Sequence, residues 1–271
     1  MDDNMSDFIR HLRRQLGMTQ EEFAHSLGIT VGTVNRWENG RFRPSKLARS
    51  TILEFARRHG VTDGDTLKMA IEIGPGASAV ATTQAAEKIY RAAKGGGHCA
   101  IDVAVRVSGD AVLDWLPQET IVFEGARLKR RTVAEVEPGG SLLACEMVVL
   151  GRAASGERFT RGLMLDSWSV RRTGRLAWTD TLLVEGETPT GAGFGTANAL
   201  ATVIGVWDAP QPRFEQARTL LETAAEVRAG VTLVNGVMVA RILGEATVVR
   251  AATIRFLTEF RGCRLPRVWH V

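Results

Sequence analysis

Polar and basic side chains between residues 30 and 43 have the types and spacing to contact DNA. Asn35 and Arg36 are adjacent; an Asn amide can bond an adenine edge bidentately, as an Arg guanidinium can bond a guanine edge. Arg41 and Arg43 follow closely, and such arginines neutralise phosphates without reading base sequence. The spacing predicts a nucleic-acid interface with base-reading residues beside backbone-binding ones.

Positive charge is concentrated around these side chains. Residues 1–60 contain ten Lys/Arg and seven Asp/Glu, a balance of +3, whereas the remaining 211 residues add only +1 to the net charge of +4. A basic segment of this kind indicates a polyanionic partner. The alternative is a protein-binding module with a basic face that never touches DNA.

Four short helices are predicted to position these residues. Gly17 ends the first helix, and Thr19 with Glu22 forms a capping box that opens the second. Thr30 caps the third helix, which turns Val34 and Trp37 inward. The fourth helix offers four apolar residues to the core: Leu47, Ile52, Leu53 and Phe55.

Residues 5–59 resemble the Cro/C1-type (XRE) helix-turn-helix family. The resemblance is carried by the strings 18–24, 27–30 and 34–40 and by Arg43-Pro44-Ser45. It implies that the third helix enters the major groove, that Gln20 binds a phosphate and braces that helix, and that the protein dimerises on DNA. The candidate DNA-binding residues are Gln20, Thr30, Val31, Gly32, Thr33, Asn35, Arg36, Arg41 and Arg43.

From Asp65 onward the hydrophobic period changes to that of strands. Residues 67–73 and 101–107 alternate apolar and polar side chains, and shorter strands are predicted at 121–123, 147–150, 168–170, 176–178 and 182–184. Similar Gly-containing strings at Gly76, Gly109 and Gly140, spaced 33 and 31 residues apart, suggest hairpin layers stacked on one another.

Beyond residue 195 the pattern reads as mostly helical. Residues 196–206 are small and apolar, a helix is predicted over about 213–229, and a last helix over 245–260. Asn235-Gly236 predicts a hairpin turn within 231–243. The predicted fold class is α+β with two domains: a small all-α helix-turn-helix domain (1–60), then a β-rich domain with C-terminal helices (61–271).

Composition and motifs exclude several classes of protein. With 45% hydrophobic and 24% charged residues, the 271-residue chain is neither disordered nor collagen-like. Three scattered cysteines suit a reducing cytosol, and no apolar run approaches the roughly 20 residues that span a bilayer, so a cytoplasmic location without a membrane is expected. His98-Cys99 and Gly95-Gly96-Gly97 complete no catalytic, metal or P-loop motif, so no enzymatic activity is expected.

Residues 63–271 resemble the urease accessory protein family UreD, also called UreH. The resemblance is carried, in order, by the strings 82–91, 115–126, 146–152 and 265–269. It implies a β-rich protein that binds UreF and, through it, the GTPase UreG, and that docks on apo-urease. It also implies that nickel passes through the protein rather than resting in it, so no stably bound cofactor is expected.

Carboxylates in or near the matching strings are the candidate stations for nickel in transit. A transit path needs scattered, weak oxygen ligands rather than a closed cage. For any single carboxylate, a structural or solvated role is the alternative. The candidates are Asp65, Glu119, Glu124, Glu146 and Asp166.

The sequence departs from the UreD family at its N-terminal side. The family has several strands before a Gly-Gly-Asp turn, of which Gly64-Asp65 remains here, and the helix-turn-helix stands in place of those strands. Unpaired strand edges are therefore expected, and the β domain alone is predicted to be marginal. A gene fusion, a gene-model error or a working two-function protein are the alternatives. As a regulator, the protein would use the UreD-like domain to sense a partner or nickel.

Overall fold

A computed structural model describes residues 5–59, 65–92, 97–152, 155–186 and 193–270. Backbone contacts divide the chain into two compact units, Met1–Asp65 with Tyr90–His98, and Thr66–Ile89 with Cys99–Val271. The sequence did not predict that Tyr90–His98 groups with the helical unit. The expected linker 60–63, Gly64 of the Gly-Asp turn, and Gly95 and Gly96 lie outside the described residues.

Four helices form the first unit: α1 (Met5–Gln15), α2 (Gln20–Ser26), α3 (Val31–Glu38) and α4 (Lys46–Arg58). The local signals are confirmed. Thr19 and Glu22 bond reciprocally across the start of α2, and the Thr30 hydroxyl accepts the backbone N–H of Thr33 at the start of α3. Gly17 adopts φ +67° after α1, a conformation that glycine reaches without steric penalty.

The face that α4 turns to the core was only half predicted. Ile52 is buried and Phe55 packs against the same core, but Leu47 is 78% exposed and Leu53 is 39% exposed. At about 100° per residue, Leu47 and Leu53 lie roughly 140° and 100° around the helix from Ile52. Apolar type alone did not reveal which side of the helix faces inward.

Besides a 3-10 helix at Arg267–His270, thirteen strands and two α-helices are described in the second unit. They are β1 (Thr66–Ile73), β2 (Ser78–Ala81), β3 (Glu87–Ile89), β4 (Cys99–Val107), β5 (Val112–Trp115), β6 (Thr120–Val122), β7 (Arg127–Val136), β8 (Ser141–Leu150), β9 (Leu163–Arg172), β10 (Arg175–Glu185), β11 (Ala199–Val206), α5 (Gln211–Glu222), β12 (Arg228–Val234), β13 (Val237–Gly244) and α6 (Ala246–Arg261).

The strands form two sheets that the chain visits alternately. One sheet has the order β1-β4-β7-β9-β10; the other has β12-β13-β11-β8-β5-β2, with β6 pairing both β3 and β8. Strands β1, β4 and β7 pair in parallel in the first sheet, and β2, β5 and β8 pair in parallel in the second. Each repeat is thus one coil that crosses from sheet to sheet and stacks on the next coil.

The predicted repeat is therefore real in position, but its interpretation as hairpins is wrong. The glycine strings follow β1, β4 and β7, where the chain turns towards the other sheet. The register pairs Ser78 with Val112 and Val112 with Ser141, so the glycines stand at slightly different offsets in each coil. A Cβ on Gly140 would lie 3.0 Å from two backbone oxygens, which explains a glycine there. The alternation of apolar and polar residues shows where a strand lies. It does not show whether that strand pairs with its neighbour in a hairpin, about 4 residues away, or with the equivalent strand of the next repeat, about 33 residues away.

Three further predictions are corrected beyond residue 170. The two short strands at 176–178 and 182–184 are one strand, β10, with an irregularity between Leu176 and Trp178. The region after 195 is not mostly helical, because β11 pairs with both β8 and β13. The helix predicted over 213–229 ends at Glu222. The hairpin at Asn235-Gly236 is confirmed, with φ of +48° and +79°, and so is the last helix.

Two hydrophobic cores result from this arrangement. One lies between the sheets, and the other lies between the outer face of the second sheet and helices α5 and α6. On β8, Met147 belongs to the outer core together with Leu257 and Phe260 of α6, whereas Val148 belongs to the core between the sheets. No helix in the described part of the chain is long and apolar enough to cross a membrane.

Candidate DNA-binding surface and buried carboxylate cluster

Helix α3 has one buried face and one exposed face, as a recognition helix requires. Val34 and Trp37 are buried, whereas Val31, Asn35 and Arg36 are exposed. Thr30 and Gly32 are also exposed and Thr33 is half-buried. The Thr30 and Thr33 hydroxyls lie 2.9 Å apart within the helix cap, so their first role is to begin the helix.

Glu38 ties the helices of this unit together. Its carboxylate accepts hydrogen bonds from Arg13 Nε at 2.6 Å and from Gln20 Nε2 at 2.7 Å. Asn35 Nδ2 donates to Gln20 Oε1 at 3.4 Å, so Gln20 links α2 to α3. Burial favours a higher pKa for Glu38, but the hydrogen bonds from Arg13 and Gln20 outweigh it and hold the pKa below its ordinary value.

Gln20, which was expected to bind a phosphate and to brace α3, thus contacts Glu38 and Asn35 of that helix, while the importance of Glu38 was missed. No local signal marks Glu38, because its partner Arg13 stands 25 positions earlier in the chain. Of the five residues expected to read bases (Val31, Gly32, Thr33, Asn35 and Arg36), the last two have side chains held by hydrogen bonds within the helical unit. Asn39 Nδ2 donates to Asn35 Oδ1 at 3.1 Å, and Arg36 Nε donates to the Gly32 carbonyl at 3.1 Å. Arg41 and Arg43 are exposed beyond the helix.

Three of the five candidate nickel carboxylates stand apart from one another. Asp65 is exposed just before β1. Glu119 accepts from Arg250 Nε at 3.4 Å. Glu124 accepts from the backbone N–H groups of Thr160 and Arg161 and from both side chains. These bonds overcome the opposing effect of burial and lower the pKa of Glu124 to about 2.

The contact between Glu119 and Arg250 is part of a group of contacts that link two of the sequence segments carrying the family resemblance, residues 115–126 and 265–269. Trp269, fully buried near the end of the chain, donates from Nε1 to the Leu116 carbonyl at 3.1 Å. Arg250 on α6 also donates to Gln118 Oε1 at 3.2 Å. The strings 115–126 and 265–269 therefore meet in space and hold α6 on the sheet.

The other two candidates, Glu146 and Asp166, converge on one arginine between the sheets. Arg130 binds Asp166 bidentately, with Nε–Oδ1 at 3.0 Å and Nη2–Oδ2 at 2.7 Å. The same Nη2 lies 3.0 Å from Glu146 Oε2. Arg130 and Asp166 are register partners on β7 and β9, whereas Glu146 reaches in from β8 of the other sheet. Sequence reasoning missed Arg130 because strand β7 was not predicted.

Neutral donors complete the cluster. Thr132 Oγ1 donates to Glu146 Oε1 at 3.1 Å and Trp168 Nε1 donates to Glu146 Oε2 at 2.9 Å. Burial, reinforced by the charge of Asp166, raises the pKa of Glu146 to about 7 despite the opposing charge of Arg130. Burial also raises the pKa of Glu87. The surroundings of Arg130 thus hold more carboxyl groups than this one guanidinium neutralises.

A small cavity lies beside this cluster, next to an open groove. The cavity, of about 80 Å³, is lined by Glu146, Asp166 and Asp180 among others. The groove, of about 730 Å³, is lined by Trp178, Phe194 and Arg228 among others. Both are bordered by the same three residues: Leu182, Leu200 and Arg241. Across the described ranges, no group of three or more His, Cys, Asp or Glu could hold a metal ion, so the cluster is a pair of oxygen donors rather than a cage.

Comparison with known families gives the class of each part. A helix-turn-helix family model matches residues 9–61, and the family model of the UreD urease accessory protein matches residues 42–270. The two matches overlap over 42–61, which includes α4, and the UreD match begins earlier than the resemblance at residue 63 indicated. The first unit is thus of the helix-turn-helix class. The chain as a whole belongs to the UreD urease accessory protein family.

Individual relatives agree with this assignment. Urease accessory protein UreD 2 of Methylorubrum populi is 42% identical over 216 residues, covering 78% of this chain and 72% of the relative. Urease accessory protein UreD of Azorhizobium caulinodans is 39% identical over 217 residues, covering 78% of each.

Proposed function

We propose that this protein is a non-catalytic scaffold that, with UreF and UreG, passes nickel to apo-urease, and that its N-terminal unit binds DNA. The observation that carries the first part is the pair of inward-facing carboxylates, Glu146 and Asp166, beside a cavity that adjoins an open groove. Two oxygen donors hold a divalent cation less tightly than a closed ligand set, which suits an ion in transit. The family membership supports the same role.

Nickel as cargo would compete with Arg130 for the same oxygens. The guanidinium contacts both carboxylates, so an ion entering from the cavity would replace one hydrogen-bonded partner of Glu146 or Asp166. The protonation of Glu146 adds a second control, because its pKa of about 7 makes its charge variable near neutrality. A protonated carboxyl is a poor cation ligand, so the proton and the metal ion compete for this site.

Each part of the chain has its own role in this proposal. Residues 1–60 would bind DNA, and residues 61–271 would take part in urease maturation. Both would act in the cytoplasm. Asp65, Glu119 and Glu124 would be outer stations at most, since they stand apart from the buried pair Glu146 and Asp166 and do not line the cavity beside it. Helices α5 and α6 would face UreF.

Nickel loading of urease tests the scaffold role. We expect the protein to co-purify with UreF and UreG and to restore nickel to urease in a strain that lacks its own UreD. Glu146→Gln should lower the loading rate roughly tenfold, because one anionic oxygen donor is lost. Glu226→Gln, at the surface pair with Arg255, is the matched control and should load normally.

Complex formation separates the outcomes of that experiment. A Glu146→Gln protein that still binds UreF has folded, so its loading defect then belongs to the carboxylate. Full nickel loading by this folded variant would refute the transit role of Glu146, and failure of the unaltered protein to bind UreF would refute the scaffold.

The exposed face of α3 supports a second candidate function, DNA binding by a regulator whose β unit senses a partner or nickel. Fluorescence anisotropy with fragments from a urease promoter should show binding that weakens steeply with salt. Asn35→Ala should lower affinity for the preferred site by about 1–3 kcal/mol, whereas Arg43→Ala should weaken binding to all fragments alike. Weak, salt-independent binding equal for every fragment would contradict this function. Lys129→Ala, in strand β7, is the control.

A further inference from the structure

Strand β1 is the open edge of the first sheet. Among the described residues it pairs with β4 on one side and with no strand on the other. Edge strands offer a row of backbone donors and acceptors to another chain, and natural proteins usually cover or disfavour such edges. This edge spans eight residues without proline or glycine, so nothing in its backbone discourages pairing.

The apolar core is also incompletely covered at this edge. Residues Met69, Ile71 and Ile73 face the space between the sheets but are only half-buried, and Leu67, in the same row, is 41% exposed. Their register partners on β4 are each at most 5% exposed: Ile101, Val103, Val105 and Val107. The first coil thus lacks the neighbour that every later coil has, as an uncapped end of a repeat structure does.

The side chains of β1 are complementary to a second copy of themselves. Reading outward from Ala70, Met69 mirrors Ile71, Lys68 mirrors Glu72 and Leu67 mirrors Ile73. In an antiparallel pair centred on Ala70, Lys68 of each chain would stand opposite Glu72 of the other, and the apolar residues would stand opposite one another. Opposite charges in directly facing positions stabilise antiparallel pairs, and like charges destabilise them.

We propose that β1 is a homodimer interface in which two copies pair antiparallel about Ala70. A twofold axis makes such an interface isologous, so the Lys68–Glu72 contact forms twice. The two sheets join into one continuous sheet, and the half-buried row of Met69 and Ile71 gains the apolar neighbour it lacks. The dimer carries two helix-turn-helix units, one for each half-site of a two-part DNA operator.

Charge exchange at these two positions tests both the interface and its register. The oligomeric state of the full chain is measured by sedimentation equilibrium. Lys68→Glu and Glu72→Lys each place like charges opposite one another at two sites, and each should raise the dimer dissociation constant about tenfold or more. The double variant Lys68→Glu/Glu72→Lys restores opposite charges across the axis and should return the dissociation constant to that of the unaltered protein.

The rescue cannot arise within one chain. On β4, Lys68 has Asp102 as its register partner and Glu72 has Arg106, so the double variant faces like charges at both positions inside its own sheet. Lys129→Glu, an exposed charge reversal on the interior strand β7, should leave the dimer unchanged. A monomeric unaltered protein, single variants that dimerise normally, or a double variant as weak as the singles would each overturn the proposal.

Discussion

The two units each enclose an ion cluster, and the clusters have opposite balances of charge. In the helical unit one carboxylate, Glu38, is held by Arg13 and Gln20, and its pKa is lowered. In the β unit one guanidinium, Arg130, serves two carboxylates, and the pKa of Glu146 is raised to about 7. The first arrangement locks helices together in a fixed protonation state. The second leaves a carboxyl group able to take up or release a proton near neutrality.

The strongest test of this contrast removes the shared cation. Arg130→Met should lower the free energy of unfolding of the β unit by about 3–5 kcal/mol, because two buried carboxylates lose their counter-charge. Urea denaturation followed by circular dichroism measures this loss. Arg131→Met, exposed on the same strand, is the matched control and should change stability by less than about 0.5 kcal/mol. Equal effects of the two substitutions would mean that the cluster is not held by Arg130.

Removing the carboxylate of the other cluster should have a smaller effect. Glu38→Ala leaves Arg13 and Gln20 without their acceptor, and we expect a loss of about 2–3 kcal/mol in the helical unit. Hydrogen exchange of the α2 and α3 amides measures the loss locally. Glu21→Ala, at an exposed position of α2, should cost less than about 1 kcal/mol. Unchanged protection in Glu38→Ala would show that packing alone holds these helices.

The pH dependence of stability should differ in sign between the clusters. The folded pKa of Glu146, about 7, lies above its ordinary value of 4.5, so the folded state binds this proton more tightly and Glu146 makes the protein less stable as pH rises between those values. Glu38, with its lowered pKa, stabilises the protein above its ordinary value and loses that contribution as pH falls.

Comparing Glu146→Gln with the unaltered protein by urea denaturation from about pH 5 to about pH 8 isolates the first effect. The stability of the variant relative to the unaltered protein should increase with pH and level off above the folded pKa. If the difference in free energy of unfolding does not vary with pH, Glu146 does not titrate in this pH range.

The smallest effect is expected at Glu124, a carboxylate whose partners lie at the surface. Arg161→Ala removes one ion pair, but the arginine is 75% exposed and Glu124 keeps the Thr160 hydroxyl and two backbone N–H donors. The free energy of unfolding should fall by less than about 0.5 kcal/mol. A loss as large as that of Glu38→Ala would show that burial is not what distinguishes these carboxylates.

Local signals in the sequence were sufficient to place the starts of α2 and α3 in the helical unit. The capping box at Thr19 and Glu22 and the Thr30 cap involve residues three apart, so the sequence displays them directly. Side-chain contacts between helices were less accessible. Nothing local distinguishes Glu38 from a solvated glutamate, because its partner Arg13 stands 25 positions earlier.

Several strands of the β unit were predictable from the sequence, but β7, β11 and the pairing of the strands were not. Residues 67–73 and 101–107 alternate clearly, yet their parallel pairing depends on a crossover through the second sheet. Arg130 sits within the basic run Arg127–Arg131 and reads as a solvated charge, although its alternation with Leu128 turns it inward. The convergence of Arg130, Glu146 and Asp166 therefore required the register of both sheets.

The outer core has a consequence for synthesis of the chain on the ribosome. Met147 on β8 and Leu257 of α6 belong to the same hydrophobic core, and 110 positions of the chain separate them. At about 5–20 residues per second, the apolar outer face of β8 waits roughly 6–22 s for that helix to emerge. During this interval the outer face of β8 is the kind of exposed apolar surface that chaperones shield.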